Sequence, residues 1–123
     1  MIPEKMLEVL NYEGVISIVT QGPDGPHVAN TWNSYIIIKA NERLLIPAGR
    51  MNKTENNIKG DSRVLLTLGS REVEGFHSMG TGFLITGTGE FMHNGGEYDE
   101  VKKRFPWIRA ALVITPASIT QTL

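Results

Sequence analysis

Six runs of aliphatic and β-branched residues, cut apart by glycine and proline, constrain this chain more than any other feature. They are Val15 to Thr20, His27 to Ile38, Arg43 to Pro47, Arg63 to Ser70, Phe83 to His93 and Ala110 to Ile114. Runs of this composition, bounded by turn residues, read as strands. Gly22-Pro23-Asp24-Gly25 and Lys39-Ala40-Asn41-Glu42 supply two of the turns. Helical segments are few and short. Residues 3–13 carry Pro3 at a favourable first position and Gly14 past the end. Residues 55–60 have Thr54 as N-cap and Gly60 as stop, and residues 97–105 form a third helix. A parallel sheet needs helices over both faces, and these three are too short for that. The expected fold is therefore mainly β, a six-stranded antiparallel barrel, closed or nearly so, in a single domain spanning 1–123. Residues 72–82, with three glycines and His77, are expected to form a mobile loop.

Composition narrows the function classes. The chain is 41% hydrophobic and 20% charged, ordinary for a globular protein, and its net charge is −1. That balance gives no broad attraction to nucleic acid. There is no cysteine, which removes disulfides, thiolate zinc sites and cysteine-ligated iron–sulfur clusters. A redox role then requires a bound organic cofactor or haem. No apolar run approaches the roughly 20 residues that cross a bilayer as a helix. Met1-Ile2-Pro3-Glu4-Lys5 lacks a secretion leader's basic start. The expected location is cytoplasmic, with no membrane partner. A chain this short buries a modest share of its surface, and dimerisation is a common remedy.

The chemistry concentrates in Ile46-Pro47-Ala48-Gly49-Arg50-Met51-Asn52-Lys53-Thr54-Glu55. The stretch leaves a strand, passes a glycine, and presents Arg50, Lys53 and Thr54 at a helix start. Free N–H groups and the helix dipole there suit an anion, and a phosphate above all. A nucleoside-triphosphate loop is excluded, because Asn52 stands where its second glycine must be. A solvated basic loop that merely caps a helix accounts for the same residues. Asn30-Thr31-Trp32-Asn33-Ser34-Tyr35 is a polar and aromatic patch within the second run. Two asparagines in mid-strand run against propensity, and such conflicts gather at functional sites. Alternation puts Asn30, Trp32 and Ser34 on one face and Thr31, Asn33 and Tyr35 on the other. Trp107 belongs to a third aromatic group, Phe105-Pro106-Trp107, which equally reads as a core or interface anchor. His27, His77 and His93 lie far apart without ligand spacing, so no metal is expected. Gly80-Thr81-Gly82 and Gly87-Thr88-Gly89 open no helix after a strand, which rules out a dinucleotide fingerprint. No serine stands in a nucleophile elbow, and no catalytic residue is assigned.

Longer runs carry a resemblance. Asn30 to Tyr35, Thr67 to Arg71, Gly80 to Ile85, Arg109 to Thr115 and Gln121-Thr122-Leu123 are among them. Through these the chain resembles, nearly end to end, the pyridoxamine 5′-phosphate oxidase-like FMN-binding split barrels. Within them it is similar to the small FMN-binding proteins of sulfate-reducing bacteria. The resemblance implies a Greek-key split β-barrel homodimer with one FMN per subunit near the interface. Arg50, Lys53 and Thr54 would hold the FMN phosphate. Asn30, Thr31, Trp32, Asn33 and Ser34, with the backbone of Pro47, Ala48, Gly49, Arg50 and Met51, would line the ribityl chain and ring. Trp32, Tyr35 and Trp107 would be the ring's aromatic neighbours. Leu123 of one subunit would reach over the flavin of the other, and Glu13 would tune its potential. Two departures stand out: a similar member of the family carries glycine in place of Arg50, and the segment Glu72 to Met79 differs. The implied function is electron transfer between protein partners. An FMN-dependent oxidase or reductase acting on a small molecule is the alternative, and a non-redox flavin store or sensor the third reading.

Overall fold

Alternation and turn chemistry produce one long antiparallel sheet, and side-chain burial then curls it. The computed structural model describes all 123 residues, Met1 to Leu123. In chain order the elements are α1 (Glu4–Leu10), β1 (Val15–Gly22), β2 (Gly25–Trp32), a 3-10 turn (Asn33–Tyr35), β3 (Ile37–Ile38), β4 (Leu44–Ala48) and α2 (Asn52–Gly60). β5 (Arg63–Glu74), β6 (Met79–Met92), α3 (Gly96–Arg104) and β7 (Ala110–Gln121) follow. The seven strands lie in the order β2-β1-β5-β6-β7-β4-β3, and every neighbouring pair is antiparallel.

Ile16 and Ile18 on β1 share one buried cluster with Leu44 and Ile46 on β4, together with Leu66, Ile85 and Leu112. β1 and β4 stand four positions apart in the sheet. In a flat sheet that is about 19 Å at a spacing of ~4.8 Å per strand, too far for side chains to meet. The sheet is therefore rolled into a barrel around this cluster. Met6 and Val9 of α1 and Ile58 of α2 complete the same core.

A second cluster covers the outside of β4 and β7. Leu45, Ala111 and Val113 pack there under Val101, Phe105 and Ile108. β4 is consequently buried on both faces along its whole length. Pro47 is tolerated in it because β3 pairs only with Leu44 and Leu45, so Pro47 has a ladder neighbour on the β7 side alone. Arg43 pairs with Glu97 at 2.9 Å, and Lys39 with Glu100, which tie the β3–β4 turn to α3.

The structure departs from the sequence expectation in four places. The run from His27 to Ile38 is not one strand, and the count rises from six strands to seven. The 3-10 turn at Asn33–Tyr35 breaks it because the Asn33 side chain turns into the core and its N–H donates to Gly14 O at 2.9 Å. The mobile loop expected over residues 72–82 is strand for most of its length, with only Gly75 to Ser78 outside β5 and β6. Buried Val73 and the bond from Lys5 Nζ to Glu74 O, 2.8 Å, hold that arm against α1. β7 continues past Ile114 to Gln121, paired with Phe83. Finally, α2 begins before Thr54: its N-cap is Met51, and Thr54 lies in the first turn.

Candidate functional site

The end of β4, the start of β7, the first turn of α2 and the β1–β2 turn meet at the basic loop. β4 ends at Ala48, whose carbonyl accepts the Arg109 N–H at 2.9 Å. Gly49 follows directly under Trp107, where a Cβ would lie 3.3 Å from the indole ring. A larger residue there would push the Trp107 ring outward by a few tenths of an ångström. Met51 then adopts φ 62°, ψ 36°, left-handed for a non-glycine residue, and α2 starts right-handed at Asn52. Such a reversal of hand turns successive N–H groups toward one side, as in anion-binding nests. The N–H groups of Asn52, Lys53 and Thr54 precede the first helical donor, the Glu55 N–H that bonds Met51 O at 2.9 Å, and have no partner within the helix.

The three predicted side chains all belong to this turn, at positions 50, 53 and 54. Arg50 is exposed and makes no ion pair. Lys53 Nζ donates to Asp24 Oδ2 of the β1–β2 turn at 2.7 Å. Both partners are exposed, and pairs of this kind are weak enough to yield to a stronger anion. Thr54 is completely buried, and its Oγ1 has no hydrogen-bond partner. A buried hydroxyl without a partner is costly, and a phosphate oxygen bound at this turn would be an acceptor for it. The donor set therefore fits a phosphate group.

The aromatic residues and the 30–35 segment divide into two environments. Tyr35, Phe105 and Trp107 form a cluster with ring centroids 5.0–5.8 Å apart. Trp107 is 52% exposed and borders the loop through Gly49. Trp32 is 45% exposed at the end of edge strand β2. Asn30 lies on the outer face and bonds Ser17 Oγ at 3.2 Å. Thr31 and Asn33 are buried. Asn33 Nδ2 donates to Tyr12 O at 2.9 Å and, at 3.4 Å, to Val9 O and Gly69 O.

Glu13 is fixed by Ser34. The Ser34 hydroxyl donates to Oε2 at 2.6 Å and its N–H to Oε1 at 3.1 Å. The hydroxyl bond above all, then the N–H bond, holds the Glu13 carboxyl below its ordinary range, so it is ionised at neutral pH. Glu13 also lines a groove of about 710 Å³ with Gly14, Arg71, Met79 and Leu123. Leu123 is 64% exposed, and its carbonyl accepts from Thr81 Oγ1 at 2.7 Å.

The sequence profile described as pyridoxamine 5′-phosphate oxidase matches residues 2–122. The chain belongs to that family. A family relative, the FMN-binding protein of Nitratidesulfovibrio vulgaris (strain DSM 19637 / Miyazaki F), is 53% identical over 123 residues, covering 100% of both chains. Two solved structures share the fold at low identity. HupZ of Group A Streptococcus superposes with a TM-score of 0.81 at 18% identity, over 98% of this chain and 94% of that one. An FMN-binding protein from Syntrophomonas wolfei superposes with a TM-score of 0.72 at 18% identity, over 98% and 85%. The fold is thus the split barrel of the pyridoxamine 5′-phosphate oxidase family.

Sequence reasoning missed part of this family member's loop. Asp24, His93 and Arg109 bond Lys53, Glu55 and the Arg50 carbonyl of the loop, yet they come from three separate places in the chain. One mark was available: Arg109 is a charge placed directly before the wholly apolar run Ala110 to Ile114. No helix of the protein is long and apolar enough to cross a membrane.

Proposed function

We propose that this protein binds FMN as a homodimer and serves as an electron carrier between protein partners. The observation that carries the reading is the basic turn at the start of α2, where free Arg50, displaceable Lys53 and the unpartnered Thr54 hydroxyl surround free N–H groups. The 53% identical relative, named an FMN-binding protein, supports the same ligand. Arg50, Lys53 and Thr54 hold the phosphate in this reading. The backbone from Pro47 to Met51 and the segment Asn30 to Ser34 line the rest, and Trp32, Tyr35 and Trp107 flank the ring.

FMN, when bound, supplies the redox chemistry. The chain's own part is to anchor, orient and tune it. Glu13, kept ionised by Ser34, opposes the build-up of negative charge on a nearby ring. The dimer is supported by the place of Leu123. β7 begins beside the basic loop at Ala110 and runs away from it, and thirteen residues of extended chain span about 40 Å. In the dimer reading Leu123, at the far end of β7, covers the flavin bound to a second copy.

The test is the visible spectrum of the purified protein, with release and identification of any chromophore. Stoichiometric FMN is expected. A colourless protein that also takes up no added FMN removes the flavin reading. Catalytic oxidation of reduced nicotinamide or pyridoxamine 5′-phosphate by the yellow protein replaces the carrier with an oxidase or reductase.

A further inference from the structure

Arg109 joins the two sides of the basic turn through its two Nη groups, its buried Nε remaining without a partner. Its Nη2 donates to Arg50 O at 2.7 Å, just before the left-handed residue Met51. Its Nη1 donates to Glu55 Oε1 at 2.7 Å, in the first turn just after it. Its own N–H holds Ala48 O. Glu55 is 7% exposed, and its second oxygen is 3.0 Å from His93 Nε2 of the segment following β6. A planar guanidinium can meet a carbonyl and a carboxylate at once, whereas a lysine ammonium is a single point of charge. The carboxylate is also out of place for an anion site unless it is neutralised, since it sits at the helix end that receives the anion.

We propose that Arg109, clamped by Glu55, is the positioning residue of the phosphate loop: it fixes the Arg50 carbonyl and so aims the N–H groups that follow Met51. This rests on the phosphate reading above. Arg109 itself does not hold the anion in this scheme; Arg50, Lys53 and Thr54 do.

The experiment compares dissociation constants for FMN and for riboflavin, the same ring without a phosphate, by quenching of flavin fluorescence. In Arg109→Lys the charge remains but the double contact is lost. FMN binding is expected to weaken by about tenfold, the order of one charge-assisted contact, with riboflavin binding held within about twofold. Glu55→Gln separates positioning from plain charge. Loss of the clamp weakens FMN selectively, whereas simple removal of a negative charge tightens it. An unchanged ratio of the two constants, an equal loss for both flavins, or tighter FMN binding in Glu55→Gln overturns the proposal. If Arg109→Lys does not fold, Glu55→Gln decides alone by the same ratio. Equal binding of FMN and riboflavin by the unaltered protein is a different failure, because it removes the phosphate reading before any variant is made.

Discussion

At the scale of single residues, the side chains with the most contacts are not always the ones that face a ligand. Asn33 belongs to a polar patch that reads as a ring-binding surface, yet its amide is spent on the carbonyls of Val9, Tyr12 and Gly69. It staples α1, β5 and the 3-10 turn together. Asn33→Ala leaves the Tyr12 carbonyl without its donor and opens a gap at a buried position, and is expected to cost about 1–3 kcal/mol of stability, measured by urea unfolding. A loss under 1 kcal/mol, about the worth of a single surface bond, refutes the staple. Glu13 is the opposite case: exposed, ionised, and oriented by Ser34. Glu13→Gln removes a negative charge from the ring's surroundings and is expected to raise the flavin midpoint potential. A potential that is unchanged or lower in a spectroelectrochemical titration shows that the carboxylate is too distant to matter. Thr54 is legible as a polar residue at a helix start. That its hydroxyl is buried and unpartnered is not legible, because burial depends on how α2 lies against β1 and β6.

At the scale of elements, β4 and β7 do the positioning. β4 is only five residues long but has the inner core on one side and α3 on the other. Its rigidity sets where Gly49 and Arg50 emerge. Leu45→Ala empties a fully buried position between β4 and α3 and is expected to cost about 3 kcal/mol in urea unfolding. It should spare riboflavin binding less than Arg109→Lys does, since it loosens the wall as well as the loop. β7 is a core strand as far as Ile114 and then becomes half exposed. Its tail ends beside the Glu13 groove. Deleting Leu123 is expected to leave the melting temperature nearly unchanged while weakening FMN binding and raising flavin fluorescence. Unaltered affinity and fluorescence would mark the residue as a simple chain end.

At the scale of the whole molecule, charge governs acid stability. Four carboxyls sit below their ordinary ranges. Asp61 is drawn down to about 2, chiefly by the side-chain bond from the Arg63 guanidinium, and Asp24 is lowered by Lys53. Glu42 is lowered by the Ile2 N–H first and the N-terminal ammonium second, and Glu13 by Ser34. In each case the folded value lies under the unfolded one. Their contribution is therefore complete above the unfolded carboxyl range, near 4, and is lost as pH falls toward about 2. The melting temperature should be flat from neutral pH down to about pH 5 and fall below about pH 4. Asp61→Asn should flatten the lowest part of that fall. An equally steep fall in the variant assigns the acid sensitivity to other groups. Sedimentation in the presence and absence of FMN tests the dimer at the same scale, and a monomer with FMN bound removes the trans role of Leu123.

The antiparallel β class, the three helices and the basic turn were readable because each rests on local physics: β-branched runs, glycine and proline punctuation, and cations at a helix start. The sequence by itself determined an antiparallel β chain with an anion-suited loop, and its long specific runs pointed to the split-barrel family. Tertiary structure alone decided which of these local features survived. Long-range pairing and Val73 turned the glycine-rich segment 72–82 into strand, because ladder bonds and burial outweigh the preference of isolated glycines. The inward turn of Asn33 ended the second strand early, because three carbonyls waited inside the core. Arg109 and Glu55, separated by 54 residues, became a clamp only when β7 was laid beside β4. A contact between groups so far apart in the chain leaves no local pattern, since its free energy is realised only after the barrel has closed.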